Sequence, residues 1–232
     1  MHSATLKLNE KTTSLQSLSW IKQGLNLCLR APFKLFFLLL ASIIIEGVIQ
    51  LAPAPVGMIL SKLVMVMLIA SLWPVLDLIS QHKSCSLQSI RSYNGWAKLP
   101  LLSLLLLLPT VMQVLTAIAI LGDSGIDLLV YGQMVDVTPV QLSIIFASAT
   151  PFSILFMFIP AYLLLENESI GTSVKKGLSL ALRAWQPLTV VFIINLLAIM
   201  AVPFTLLLSA ILLGPWLLCI NYVAFKNLTD NQ

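Results

Sequence analysis

The sequence predicts an all-α fold: a polytopic transmembrane helical bundle of about six spans, with amphipathic interfacial helices on the cytoplasmic side. Three observations carry that expectation. Of the 232 residues, 59% are apolar and 9% charged, against roughly 25% charged in a soluble domain. Apolar stretches recur along the whole chain, each close to the roughly 20 residues needed to cross a bilayer. Lysine and arginine collect between alternate stretches, the distribution that keeps short loops cytoplasmic. A soluble, disordered or disulfide-scaffold chain is excluded, the last because only three cysteines are present.

Residues 1–13 form a polar tail, and the first long apolar run begins only at Phe33. That is too late for a signal peptide, so the N-terminus is expected to be retained. Before it, Leu15, Leu18, Ile21, Leu25 and Cys28 recur as an apolar stripe, with Ser19, Lys22, Asn26 and Arg30 on another side, as in an interfacial helix. Spans are predicted at 33–51 and 56–80, joined by Leu51-Ala-Pro-Ala-Pro55, and then at 99–121 and 140–165. The last inner segment puts Val174, Leu178, Ala181 and Trp185 on one face and Lys176, Ser179 and Arg183 on another. From Pro187 to Phe225 no polar linker interrupts 39 residues, too many for one helix across a core of about 30 Å. Pro203 divides them into spans at 187–204 and 206–225, with five spans in all as the alternative.

With both termini inside, twelve of the thirteen basic residues lie on the cytoplasmic side. They are Lys7, Lys11, Lys22, Arg30, Lys34, Lys83, Arg91, Lys98, Lys175, Lys176, Arg183 and Lys226. The outer loop at 122–139 carries Asp123, Asp127 and Asp136 and no basic residue. A pI near 9.1 thus expresses orientation in the membrane, and no nucleic-acid partner is expected because no basic patch is interleaved with exposed aromatics. The expected partners are membrane lipids, with a membrane protein or a second copy of the chain as a further possibility.

An internal repeat precedes two of the spans. Lys22-Gln-Gly-Leu-Asn-Leu-Cys-Leu-Arg-Ala31 matches Lys175-Lys-Gly-Leu-Ser-Leu-Ala-Leu-Arg-Ala184 at seven of ten positions, and a proline follows each, Pro32 or Pro187. Ser86–Lys98, leading to Pro100, is a weaker copy. Residues 14–80, 86–165 and 173–225 are therefore candidate repeat units within one integral membrane domain, 1–232, that ends in a polar tail at 227–232.

A charge inside a span costs roughly 2.5–3.5 kcal/mol on insertion scales. Glu46 and Lys62 lie on opposite sides of the 51–55 turn at similar depth, and they form a candidate intramembrane ion pair. Such a pair is compatible with a structural clasp and with a relay. Asp77, at the inner end of the second span, reads as an interface anchor within reach of basic residues in the inner segments. Gln113, Asn195 and Asn221 are candidate polar contacts between helices.

Catalytic chemistry is not indicated. Gly122-Asp-Ser-Gly125 resembles a serine-protease motif, but it falls in the outer loop while both histidines, His2 and His82, are predicted inside. There is no HExxH, P-loop or GxGxxG. Cys28, Cys85 and Cys219 have no metal-ligand spacing and read as reduced thiols. No metal, cofactor or catalytic residue is expected.

The Lys-x-Gly-Leu-x-Leu-x-Leu-Arg-Ala segment, leading into a proline-opened span in a short six-helix chain, resembles the YciC-like group of bacterial inner-membrane proteins. That resemblance implies a bacterial inner membrane and carries no settled activity. The expected function is a non-enzymatic accessory, assembly or envelope-homeostasis component. A small transporter or channel is the alternative, with Glu46, Lys62, Gln113 and Asn195 around a central path.

Overall fold

Apolar runs and the prolines between them divide the chain into helices. The computed structural model describes residues 2–83 and 85–230, with side chains from Gln16 onward except at 87. The side chains of Lys7, Lys11 and Leu15, and residues 231 and 232 of the C-terminal tail, therefore lie outside the described residues.

The elements are α1 (His2–Arg30), α2 (Pro32–Gln50), α3 (Val56–Ser80), α4 (Leu87–Arg91), a 3-10 turn (Trp96–Lys98), α5 (Leu99–Leu105), α6 (Leu108–Leu121) and α7 (Ser124–Leu129). They continue with α8 (Pro139–Ala147), α9 (Thr150–Phe156), α10 (Ile159–Leu164), α11 (Ile170–Arg183), α12 (Trp185–Met200) and α13 (Leu208–Thr229). Every described element is helical. Five segments are long and apolar enough to cross a membrane: Pro32–Gln50, Val56–Ser80, Trp96–Leu121, Pro139–Phe156 and Leu208–Thr229. The pair α11 and α12, bent by 92°, supplies a sixth if counted as one span.

Proline sets most of the breaks. It lacks the N–H that a helix interior uses, but the first turn has no use for that donor. Pro100, Pro109, Pro139, Pro151 and Pro160 each stand in the first turn of a helix. The stretch 140–165, expected as one span, is consequently three short helices, α8, α9 and α10. Within the polar tail expected at 1–13, residues 2–13 are helical and form the start of α1.

The reversal expected at Pro203 is a turn over residues 201–207. Leu206 and Leu207 adopt φ of 48° and 68° there. Several of its backbone donors are satisfied from within: Thr205 N–H donates to Ala201 and Leu207 N–H to Val202, while the Thr205 hydroxyl accepts from Ser209 N–H. An apolar turn in lipid requires this, because no water is at hand to take up loose donors.

The inner segments depart from expectation in two ways. The middle one, 86–98, is no continuous amphipathic helix. Ser-Tyr-Asn-Gly breaks it at Gly95, whose φ of 96° suits glycine. In α1, the side turned to the protein is Ser17, Trp20, Gly24 and Leu27, whereas Leu18 and Leu25 of the predicted stripe are 59% and 45% exposed. Apolar side chains have no reason to leave lipid, so small residues that permit close approach mark the packed side instead. A Cβ on Gly24 would stand 2.9 Å from the Ile220 backbone of α13, and one on Gly177 of α11 would stand 3.0 Å from the Ile159 backbone of α10. The two matching glycines thus seat their helices in the same manner on different neighbours.

The main core lies at the end of the bundle where these inner segments gather. Trp73 of α3, Phe158 and Tyr162 around α10, and Phe225 of α13 stack there, with Tyr162 and Phe225 edge to face at 5.1 Å between centroids.

Candidate functional site

Two charged sites lie within the apolar segments, at opposite ends of the bundle. In the first, α2 and α3 pack antiparallel about the 51–55 turn, bringing Lys62 Nζ to 2.5 Å from Glu46 Oε1. Gln50 Nε2 stands 3.4 Å from both Glu46 Oε1 and Ser61 Oγ. Lys62 also borders an apolar cleft of about 220 Å³ with Met58, Leu107, Val111 and Val130.

The second site is built on Asp77, in the last turn of α3. Its carboxylate is buried and surrounded by donors from three parts of the chain. Tyr222 of α13 donates to Oδ1 at 2.7 Å. Tyr93, after α4, donates to Oδ2 at 2.6 Å, and Gln81 Nε2 donates to the same oxygen at 2.7 Å. Lys226, one turn beyond Tyr222, places its ammonium 3.1 Å from Oδ1. Bonds to an ionised acceptor are stronger than neutral ones, so a single carboxylate fastens α3, α13 and the segment after α4. Burial and the neighbouring Asp77 carboxylate together push the Tyr93 hydroxyl well above its ordinary value.

Asp77 is thus an anchor, but not to the basic residues of the inner segments. Its cation comes from the last helix. Tyr93 and Tyr222 escape sequence reasoning because a tyrosine near a membrane boundary reads as an interfacial aromatic. One signal was present: Asp77 and Lys226 are the sole charges in the predicted spans 56–80 and the close of α13 apart from Lys62.

Gln113 Nε2 lies 3.4 Å from the Phe146 carbonyl, linking α6 to α8. Asn195 Nδ2 donates to the Val191 carbonyl of its own helix. Asn195 and Asn221 share a largely apolar cavity of about 360 Å³ with Met65, Ser209 and Gly214, where the buried Asn221 Oδ1 has no hydrogen-bond partner among the described residues. Glu46 and Lys62 do not reach that cavity, and Gln113 borders neither it nor the Lys62 cleft. The proposed central path is therefore not assembled among the described residues.

Cys28, Cys85 and Cys219 are free thiols. Cys28 of α1 faces Cys219, whose hydrogen bond draws the Cys28 thiol below its ordinary value against the opposing effect of burial. Among the described residues no three His, Cys, Asp or Glu side chains group as a metal site.

At the end that holds Asp77, a basin of about 820 Å³ opens between α10, α11 and the close of α13. Lys175, Lys176, Arg183 and Lys226 line it, with Glu166 and Asp230 as the acids. No family model, curated protein or solved structure matches the chain.

Proposed function

We propose that this chain is a non-enzymatic accessory, assembly or envelope-homeostasis component of a bacterial inner membrane, acting through helix and lipid contacts. The observation that carries this is the dispersal of its intramembrane polar groups. Glu46 and Lys62 take each other, Gln113 and Asn195 take backbone carbonyls, and Lys62 and Asn195 border two separate cavities that Glu46 and Gln113 do not line. Side chains spent on their own neighbours hold helices together; a conduit needs them strung along one route.

Cytoplasmic termini follow from the placement of basic residues, and the inner membrane from the resemblance to the YciC-like group. The matched seating of Gly24 and Gly177 supports a common origin for the first and last of the three candidate repeat units. A small transporter is the second reading. It draws on the cavity at Asn195 and Asn221 and the orphaned Asn221 Oδ1.

Reconstitution of the full chain into liposomes tests the choice. The expected result is no proton or potassium flux above that of empty vesicles, and retention of a stoichiometric membrane-protein partner after mild solubilisation. A flux abolished by Glu46→Gln or Asn195→Ala overturns the accessory role. Single-cysteine variants at Val130 and Lys175 test orientation, with labelling from outside expected at position 130 alone.

A further inference from the structure

The basin beside α11 is more than a count of positive charge. Lys175, Lys176 and Arg183 come from α11 and Lys226 from α13, so cations converge on one concavity from two elements. Two of them are already engaged, Lys176 with Glu168 and Lys226 with Asp77. Lys175 and Arg183 have no carboxylate partner among the described residues. Ser179 adds a hydroxyl to the same lining, where the Thr172 and Thr229 hydroxyls already bond Ser169 and the Phe225 carbonyl. This is the equipment for holding a phosphate group: a guanidinium able to bond two oxygens, an ammonium as a point charge, and a serine hydroxyl for a remaining oxygen.

The surroundings indicate where that phosphate comes from. α11 turns 92° from α12, so with α12 set along the bilayer normal α11 would lie across the end of the spans, close to the headgroups. On the flank next to Arg183, Leu182 and Trp185 are 63% and 62% exposed. A soluble phosphate compound makes no use of such side chains, but acyl chains below a headgroup do, and tryptophan favours that boundary. Basic pockets at helix ends on this side of a membrane are a known mode of anionic-lipid recognition.

We propose that the basin binds the phosphate of an anionic phospholipid headgroup, with Lys175 and Arg183 as the principal contacts and the acyl chains against Leu182 and Trp185. The inference deepens the lipid-contact part of the proposed function. It requires that the chain span a bilayer, but it is independent of the absence of transport, so a flux result leaves it standing.

The test is thermal melting of the purified full chain in detergent, titrated with dioleoylphosphatidylglycerol, dioleoylphosphatidylcholine or free glycerol phosphate. Phosphatidylglycerol is expected to raise the midpoint saturably, and the other two to leave it unmoved. The double variant Lys175→Gln, Arg183→Gln is expected to bind phosphatidylglycerol about tenfold more weakly or worse. Lys83→Gln with Arg91→Gln makes the same charge change elsewhere at this end and is expected to keep wild-type affinity. Equal weakening by both double variants would reduce the effect to unspecific charge and overturn the site. An equal response to glycerol phosphate would overturn the lipid assignment. Should the first pair melt too low to titrate, Lys175→Gln alone is measured, with unchanged affinity counting against the site.

Discussion

The Asp77 carboxylate and the Lys226 ammonium meet at 3.1 Å, joining the close of the second apolar segment to the close of the last. Helix α13 would otherwise end in an apolar bundle with a lone cation, and α3 with a lone anion. Each makes the other tolerable, and two tyrosine hydroxyls with one glutamine amide complete the carboxylate's shell.

Asp77→Ala is expected to be severe. It strands Lys226 and leaves Tyr93 and Gln81 without their acceptor, while Tyr222 keeps its bond to the Ser80 hydroxyl, a loss of about 3 kcal/mol or more. Asp77→Asn keeps an acceptor oxygen and should lose less, and adding Lys226→Met to it should restore part of the deficit. Midpoints of thermal unfolding in detergent rank the three variants.

At the other end of the bundle, Lys62→Met leaves Glu46 as an unpaired charge, with an expected cost on the order of 3 kcal/mol. Glu46→Gln in the same chain removes the stranded charge and should recover much of that loss. Strictly additive losses in the melting midpoints would refute the coupling.

Gly24→Val and Gly177→Val press a side chain onto the backbone of Ile220 and Ile159 respectively. Neither backbone has room to yield, and each variant should lose roughly 1–3 kcal/mol. Gly47 of α2 has nothing within 4 Å of its added Cβ, so Gly47→Ala should be neutral or stabilising by up to about 1 kcal/mol. The same melting measurement separates the crowded glycines from the open one.

Alkaline titration isolates Tyr93. Its folded hydroxyl loses its proton at a higher pH than the ordinary tyrosine value of about 10. The stability it contributes is therefore complete below pH 10 and declines as pH climbs from there through the folded value. Tyr93→Phe should melt lower than wild type near pH 8, and the gap between them should narrow above pH 10. A gap that stays constant would show that the hydroxyl does not titrate as described.

Much of the bundle was legible because lipid imposes length. Runs of apolar residues marked most of the segments, and Pro203 marked the reversal, since the 39 residues from Pro187 to Phe225 are far more than one crossing of the bilayer needs. Glu46 and Lys62 could be paired by counting residues from a single turn. The packed side of α1 was not legible by the same means. Leu18 and Leu25 are as content in lipid as in protein, so the hydrophobic stripe that identifies an inward face in water loses its meaning, and Trp20 with Gly24 takes that place. The Asp77 cluster was hidden for another reason: Tyr93, Tyr222 and Lys226 reach it from distant parts of the chain, and no spacing rule links them. Lys175 and Arg183 were visible only as signs of orientation until α10 and α13 closed a concavity around them.

The near-right-angle turn at Ala184 leaves α12 with 16 residues where α3 has 25. At 1.5 Å per residue these helices reach about 24 Å and about 37 Å. One flank of the protein is therefore shorter than the oil it displaces and the other longer, so a film of even thickness cannot fit both. Lipid beside the 201–207 turn has to draw inward while lipid beside α3 stretches or that helix leans, at fractions of a kcal/mol per Å of misfit. Such a misfit would surround the protein with a lopsided collar of deformed bilayer.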